Sequence, residues 1–207
     1  MARGRLITIE GLDGAGKTTL ATGLVTELEA RGVEVELLRE PGGVPAAERI
    51  RDLVKDPELR IEPRAEALLY AAARAQLVEE AVEPRLGAGT WILLDRFVDS
   101  SLAYQGGGRQ LGVEDVGAIN EFATEGLAAD RTLLLLLDPA VGLSRAGSRP
   151  GPADRLEREH QAFFERIASA YAELAASDPV RIRVLDATLP PPAVLATAVE
   201  QLADLLP

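Results

Sequence analysis

The chain has 207 residues, no cysteine, and 33 acidic against 22 basic side chains, for a formal charge of −11 at neutral pH. That length fits one domain with a sizeable core, and the acidity argues against a general nucleic-acid binder, whose affinity comes from a basic surface. The lack of cysteine excludes a disulfide framework and a thiolate metal site and fits a reducing compartment.

Met1-Ala-Arg-Gly-Arg5 is too short before the first strand pattern to read as a signal peptide, and no apolar run approaches the ~20 residues of a membrane span. The apolar run Leu6–Ile9 breaks into Gly11-Leu12-Asp13-Gly14-Ala15-Gly16-Lys17-Thr18, and a helical pattern follows from Thr19. That is the spacing of a phosphate-binding loop. Its glycines let the backbone wrap close to phosphate oxygens with N–H groups pointing inward, and the new helix adds its positive end. Lys17 can reach terminal phosphates, and the Thr18 hydroxyl can enter the shell of a bridging Mg²⁺.

Apolar spacing through Leu20, Leu24 and Leu28 predicts a helix over 17–31, stopped at Gly32. A strand over Val33–Leu38 should end at Arg39-Glu40-Pro41-Gly42-Gly43. A short helix is predicted over 45–54 and a long one from Arg64 to about Arg85, rich in alanine and leucine. Thr90–Leu94 reads as a buried strand delivering Asp95-Arg96-Phe97, with Ser100, Ser101 and Gln105 as polar loop residues beyond it. Another helix is predicted over 113–126. The strongest strand signal, Thr132–Leu137, is apolar enough to lie covered on both faces. Helices over 139–147 and 155–176, a strand over Val180–Leu185 and a terminal helix from Pro190 to Leu206 complete the reading.

Strands alternating with helices predict an α/β domain spanning residues 1–207: a five-stranded, mostly parallel sheet with helices on both faces and ligands outside the carboxyl ends of the strands. The polar motifs fall at those ends. Asp95 is placed to hold Mg²⁺ directly or through water, with Arg96 facing the same cavity. Tyr70 and Arg74, four apart on the long helix, share a face, where a ring could stack on a base and a guanidinium fork to its edge. Arg145, Arg149 and Arg155 bracket a proline–glycine segment, which suggests a lid at about 146–156 that closes over a transferring phosphoryl group. His160 reads as a surface residue and Trp91 as a packing residue.

Gly11–Thr19, Arg39-Glu40-Pro41-Gly42-Gly43, Leu68–Arg74, Asp95-Arg96-Phe97, Ser101-x-x-Tyr104-Gln105-Gly106-Gly107 and Asp186-Ala187-Thr188 together resemble bacterial thymidylate kinases, in order along nearly the whole chain. The resemblance implies the three-layer fold of P-loop nucleoside monophosphate kinases and transfer of the γ-phosphoryl group of ATP to dTMP with Mg²⁺. It implies that Gly11, Leu12, Asp13, Gly14, Ala15, Gly16, Lys17, Thr18 and Thr19 hold ATP phosphates, with Arg145, Asp186, Ala187 and Thr188 bordering adenine. It assigns Mg²⁺ to Thr18 and Asp95. For dTMP it implies Arg96 at the phosphate, Asp13 at the sugar, Glu40 and Pro41 lining the site, Tyr70 stacked on thymine, and Arg74, Ser101 and Gln105 at the base edge. The phosphate loop carries no arginine, so the chain is similar to the members with a lid arginine; Arg149 and Arg155 are then catalytic candidates beside Lys17 and Arg96. A cytoplasmic homodimer with ATP and dTMP as its partners, and neither nucleic acid nor membrane, completes that expectation. Another P-loop nucleoside or nucleotide kinase is the nearest alternative. A GTP-dependent switch is more distant, since Asn120 is followed by Glu121 rather than by a guanine-reading lysine.

Overall fold

The computed structural model describes residues 3–148 and 154–206. Five strands form one sheet: β1 (Leu6–Gly11), β2 (Val35–Arg39), β3 (Trp91–Asp95), β4 (Arg131–Leu136) and β5 (Ile182–Asp186), in the order β2-β3-β1-β4-β5. Every pairing is parallel, so the expectation of a mostly parallel sheet is met in full. Successive side chains of a strand point to opposite faces, and the core divides accordingly. Ile7, Ile9, Leu93, Leu133 and Leu135 pack with Leu20, Leu24 and Leu28 of α1 (Lys17–Ala30) and Val194 and Ala198 of α9 (Pro191–Glu200). On the other face Leu6, Ile92 and Leu94 meet Leu77 of α3 (Pro63–Leu77) and Leu86 of α4 (Glu83–Ala88). There too Leu134 meets Phe163, Ile167 and Tyr171 of α8 (Gln161–Ser177). With helices on both sides, β1, β3 and β4 need apolar residues at consecutive positions, which is the pattern their sequences carry.

The helices follow their local signals. Proline opens α3, α9 and α2 (Pro45–Lys55), where its missing N–H costs nothing. The long helix predicted to Arg85 is realised as α3, a π-helical turn over Val78–Val82 and α4, which ends at Gly89 in a left-handed conformation. Pro84 explains the interruption: inside an α-helix its ring would clash with the carbonyl four residues back, and the wider turn places it instead at the start of a new segment.

Two stretches differ from expectation. Residues 98–108 are helical, α5 (Val98–Ser101) running into a π-helical segment over Leu102–Gly108, where a polar loop was expected. Gly106-Gly107-Gly108 lets this segment lie against α8: a Cβ on Gly107 would stand 2.6 Å from that of Ala170. The helix expected from 155 begins only at Gln161, after His160 in extended conformation. The Asp154 carboxylate takes the backbone N–H groups of Leu156 and Glu157 instead, holding a turn. His160 is exposed and Trp91 lies in the core, as expected. The remaining helices are α6 (Val113–Thr124) and α7 (Pro139–Gly147). Arg149 and the middle of the expected lid, 149–153, lie outside the described residues.

Candidate active site

The site lies at the carboxyl ends of β1, β2 and β3. After β1 the chain turns through Gly14 (φ +82°), where a Cβ would stand 2.3 Å from the Gly142 carbonyl oxygen of α7, so glycine is required on both conformational and steric grounds. The left-handed Gly16 then launches α1. Lys17 folds back so that its Nζ donates to the carbonyls of Gly11 (3.1 Å) and Leu12 (3.0 Å), with the Asp13 carboxylate at 3.8 Å. Burial, and next the neighbouring Arg96, lower its ammonium to about 8. An anion in the cleft would reverse that effect by favouring the charged form.

Arg96 follows β3 with φ +72°, a left-handed backbone that a non-glycine residue holds only when its surroundings fix it. They do so at many points. Its backbone N–H donates to Ile9, and its guanidinium donates to Asp13 Oδ1 (2.7 Å), the Gly11 carbonyl, Ser100 Oγ and the Tyr104 hydroxyl, lying 5.0 Å from the Tyr104 ring centre. Beneath it Glu10, fully buried in β1, accepts from the backbone N–H groups of Phe97 (2.7 Å) and Ser100 (3.2 Å) with one oxygen. Its other oxygen accepts from Ser100 Oγ and the Tyr171 hydroxyl. Burial, and next the Asp99 carboxylate, raise Glu10 to about 7. Glu10 thus acts as the anchor of the Arg96 loop; it does not line the cleft.

That cleft has a volume of about 530 Å³ and is lined by Asp13, Gly16, Lys17, Thr18 and Thr19 from the loop and α1, Glu40 and Pro41 after β2, Tyr70 of α3, and Asp95 and Arg96 after β3. The phosphate loop and five of the eight expected acceptor residues therefore face one space. A smaller cavity of about 180 Å³ opens on the far side of the loop between Gly16, Thr19, Arg145, Ala187 and Val194, where Arg145 donates to the Ala187 carbonyl. Asp95 Oδ1 is buried without a hydrogen-bond partner among the described residues, and Thr18 shares its cavity. Oxygen donors of this kind suit a hard divalent cation.

The family model for thymidylate kinase matches residues 9–197. The chain belongs to the thymidylate kinase family. A thymidylate kinase of Deinococcus radiodurans is 48% identical over 190 residues, covering 92% of each chain. One of Lactobacillus delbrueckii subsp. bulgaricus is 46% identical over 99% of this chain and 98% of its own, and one of Halorhodospira halophila is 44% identical over 99% and 96%.

Other residues expected at the family's site do not line this cleft. Arg74 is 1% exposed and every guanidinium nitrogen is engaged: Nε and Nη2 on Glu40, Nη1 on Ser101 and Asn120, and Nη2 also on the Phe97 carbonyl. It holds the wall behind the cleft and has no donor to spare. Ser101 and Gln105 are buried with it, Gln105 donating to Glu66. Burial raises the Glu40 carboxyl, which Arg74 opposes. Asp186 and Thr188 bond to each other at the surface, beside Ala187. Arg155, expected as a lid catalyst, is not among the cleft's lining side chains. Its guanidinium pairs with Glu66 at 2.6 Å and donates to the Val54 carbonyl, because a buried carboxylate demands a cation.

Glu10 had one sequence signal, an acid inside an apolar strand just before the loop. Glu66, Arg51 and Lys55, the last two lining the cleft, had none. Among the described residues no cluster of three metal-ligating side chains occurs, and no helix is long and apolar enough to cross a membrane.

Proposed function

We propose that this chain transfers the γ-phosphoryl group of ATP to dTMP, yielding dTDP and ADP. What carries the reading is one cleft in which Lys17 and the phosphate loop face Glu40, Tyr70 and Arg96. The acceptor is a phosphate oxygen, already nucleophilic at neutral pH, so no general base is needed; the obstacle is repulsion between two anions. Lys17 holds the donor phosphates, Arg96 the acceptor phosphate, and Asp13, which orients Arg96, faces the acceptor sugar. Tyr70 stacks on thymine with Pro41 opposite, and Ser101 and Gln105 read the base edge from the wall that Arg74 braces. Ala187, Arg145 and the Asp186–Thr188 turn border the adenine, in the smaller cavity. Thr18 and Asp95 would hold Mg²⁺, which would supply charge neutralisation between the phosphates. Arg149 is the lid arginine that the reading leaves for the transferring group.

The same reading includes a homodimer. Leu68 and Phe122 are 57% and 89% exposed, and a groove of about 730 Å³ runs between α3 and α6, lined by Ala71, Ala72, Ala75 and Ile119. A second copy, presenting the same apolar face across a twofold axis, is the occupant this surface fits. The activity is tested by ADP release with ATP and Mg²⁺ over dTMP, dUMP, dCMP, dGMP, AMP, thymidine and water. Strong preference for dTMP is expected; preference for thymidine or another monophosphate refutes the acceptor assignment.

A further inference from the structure

We propose that Glu66 is a positioning residue for phosphoryl transfer, a single buried carboxylate that ties the base end of the acceptor cleft to the turn at Asp154–Glu157 on the cleft's border. The inference rests on the acceptor reading above. Glu66 sits in the first turn of α3 with no exposed surface, one helical turn before Tyr70. On one side it accepts from Gln105 Nε2 (2.9 Å). On the other it pairs with Arg155 Nη2 (2.6 Å), and between the two Arg109 forks onto both of its oxygens through Nε and Nη2 (3.0–3.3 Å).

These partners belong to separate parts of the molecule: Gln105 and Arg109 to the helical segment after β3, and Arg155 to the turn that Asp154 holds. The turn is held at further points. The Arg155 N–H and Nε donate to the carbonyls of Lys55 and Val54 at the end of α2, Asp154 pairs with Lys55 at 2.8 Å, and Arg109 also pairs with Glu159. Asp154, Leu156 and Glu157 themselves line the cleft beside Tyr70.

Two consequences follow from the chemistry. With its NH₂ end on Glu66, the Gln105 amide cannot rotate freely, so its oxygen and nitrogen keep a defined orientation. That matters for a base edge: thymine presents an N3–H donor where cytosine presents an acceptor. Moreover, two arginines share one buried negative charge, so neutralising Glu66 loosens Arg155 and with it the turn bordering the cleft. Among the described residues Glu159 pairs with Arg109 and not with Arg155, so it does not replace Glu66 there. The Tyr70 hydroxyl, raised by burial and next by Glu66, feels the same charge.

Glu66→Gln keeps the size of the side chain and removes its charge. Parent and variant are compared by steady-state ADP formation with dTMP and with dCMP at saturating ATP, alongside thermal unfolding. The folded variant is expected to lose about tenfold or more in kcat for dTMP and about tenfold in the dTMP-over-dCMP preference in kcat/KM, with KM for ATP changed less than about twofold. A merely structural link would lower the unfolding temperature and leave kcat per folded molecule and the preference alone; that result overturns the proposal. Should Glu66→Gln fail to fold, Glu66→Asp, which keeps the charge but is too short to reach all its partners, must show both losses, at about threefold each. Parent values in that variant overturn the proposal equally. A parent protein inactive on dTMP refutes the activity instead, and the variant is then compared on whichever monophosphate the parent accepts.

Discussion

Replacing Arg74 by methionine tests whether this side chain is a wall or a ligand contact. Removing the guanidinium leaves the Glu40 carboxylate, 5% exposed, without its partner, and strands acceptors on Asn120 and the Phe97 carbonyl. Breaking a buried ion pair from one side costs about 3–5 kcal/mol. In a chain of this size each kcal/mol lowers the unfolding midpoint by about 2–4 °C, so a fall of about 6–20 °C is expected. The double variant Glu40→Gln/Arg74→Met removes the stranded charge and should recover about 2 kcal/mol of that loss, because losing both partners costs less than losing one. Urea and thermal unfolding of the four proteins of the cycle measure the coupling directly. A loss below about 1 kcal/mol in Arg74→Met, or a double variant with purely additive losses, would show that the pair is not what holds this wall.

Lys17→Ala and Arg96→Ala should each lower turnover with dTMP by about a hundredfold or more while the protein remains folded by circular dichroism, and full activity in either removes its assigned role. Glu10 adds a pH dependence. Its folded-state value, about 7, lies above the free-carboxyl value of 4.5. Stability from its protonated form is therefore complete below about pH 4.5 and is lost as pH rises through about 7, to the extent of about 3 kcal/mol. Glu10→Gln should abolish that slope, so the unfolding free energies of parent and variant should diverge between pH 5 and pH 8; parallel profiles would mean that Glu10 folds already ionised. If the chain pairs as proposed, Phe122→Glu should give a monomer in size-exclusion chromatography where the parent runs as a dimer, without lowering turnover per folded chain by more than about twofold; a parent monomer refutes the proposed pairing, and a variant that stays dimeric places the subunit contact elsewhere.

The phosphate loop, the five strands and the placement of motifs at their carboxyl ends were legible in the sequence because each is encoded locally. Glycine spacing sets a backbone path, and an apolar run covered on both sides sets a central strand. Thus Lys17, Thr18, Asp95 and Arg96 could be assigned to one cavity from residue order alone, and the structure brings them there. Local encoding also explains two differences. Ser100, Ser101 and Gln105 read as polar loop residues, though they lie on a helical segment whose glycines pack closely on α8, and Pro84 falls inside the stretch read as one long helix, though it ends the regular α-helix at the preceding π-helical turn.

What the sequence by itself determined was therefore the fold, the nucleotide loop and the family. Only the tertiary structure decided what the buried charges do. Arg74 meets Glu40, 34 positions away, and Asn120, 46 away; Glu10 meets Tyr171, 161 away; and Arg155 meets Glu66, 89 away. No periodicity marks such pairs. An isolated arginine or glutamate carries the same letter whether it faces substrate or a buried counter-charge, and the difference is made by the high cost of leaving an ion unpaired once folding has removed its water.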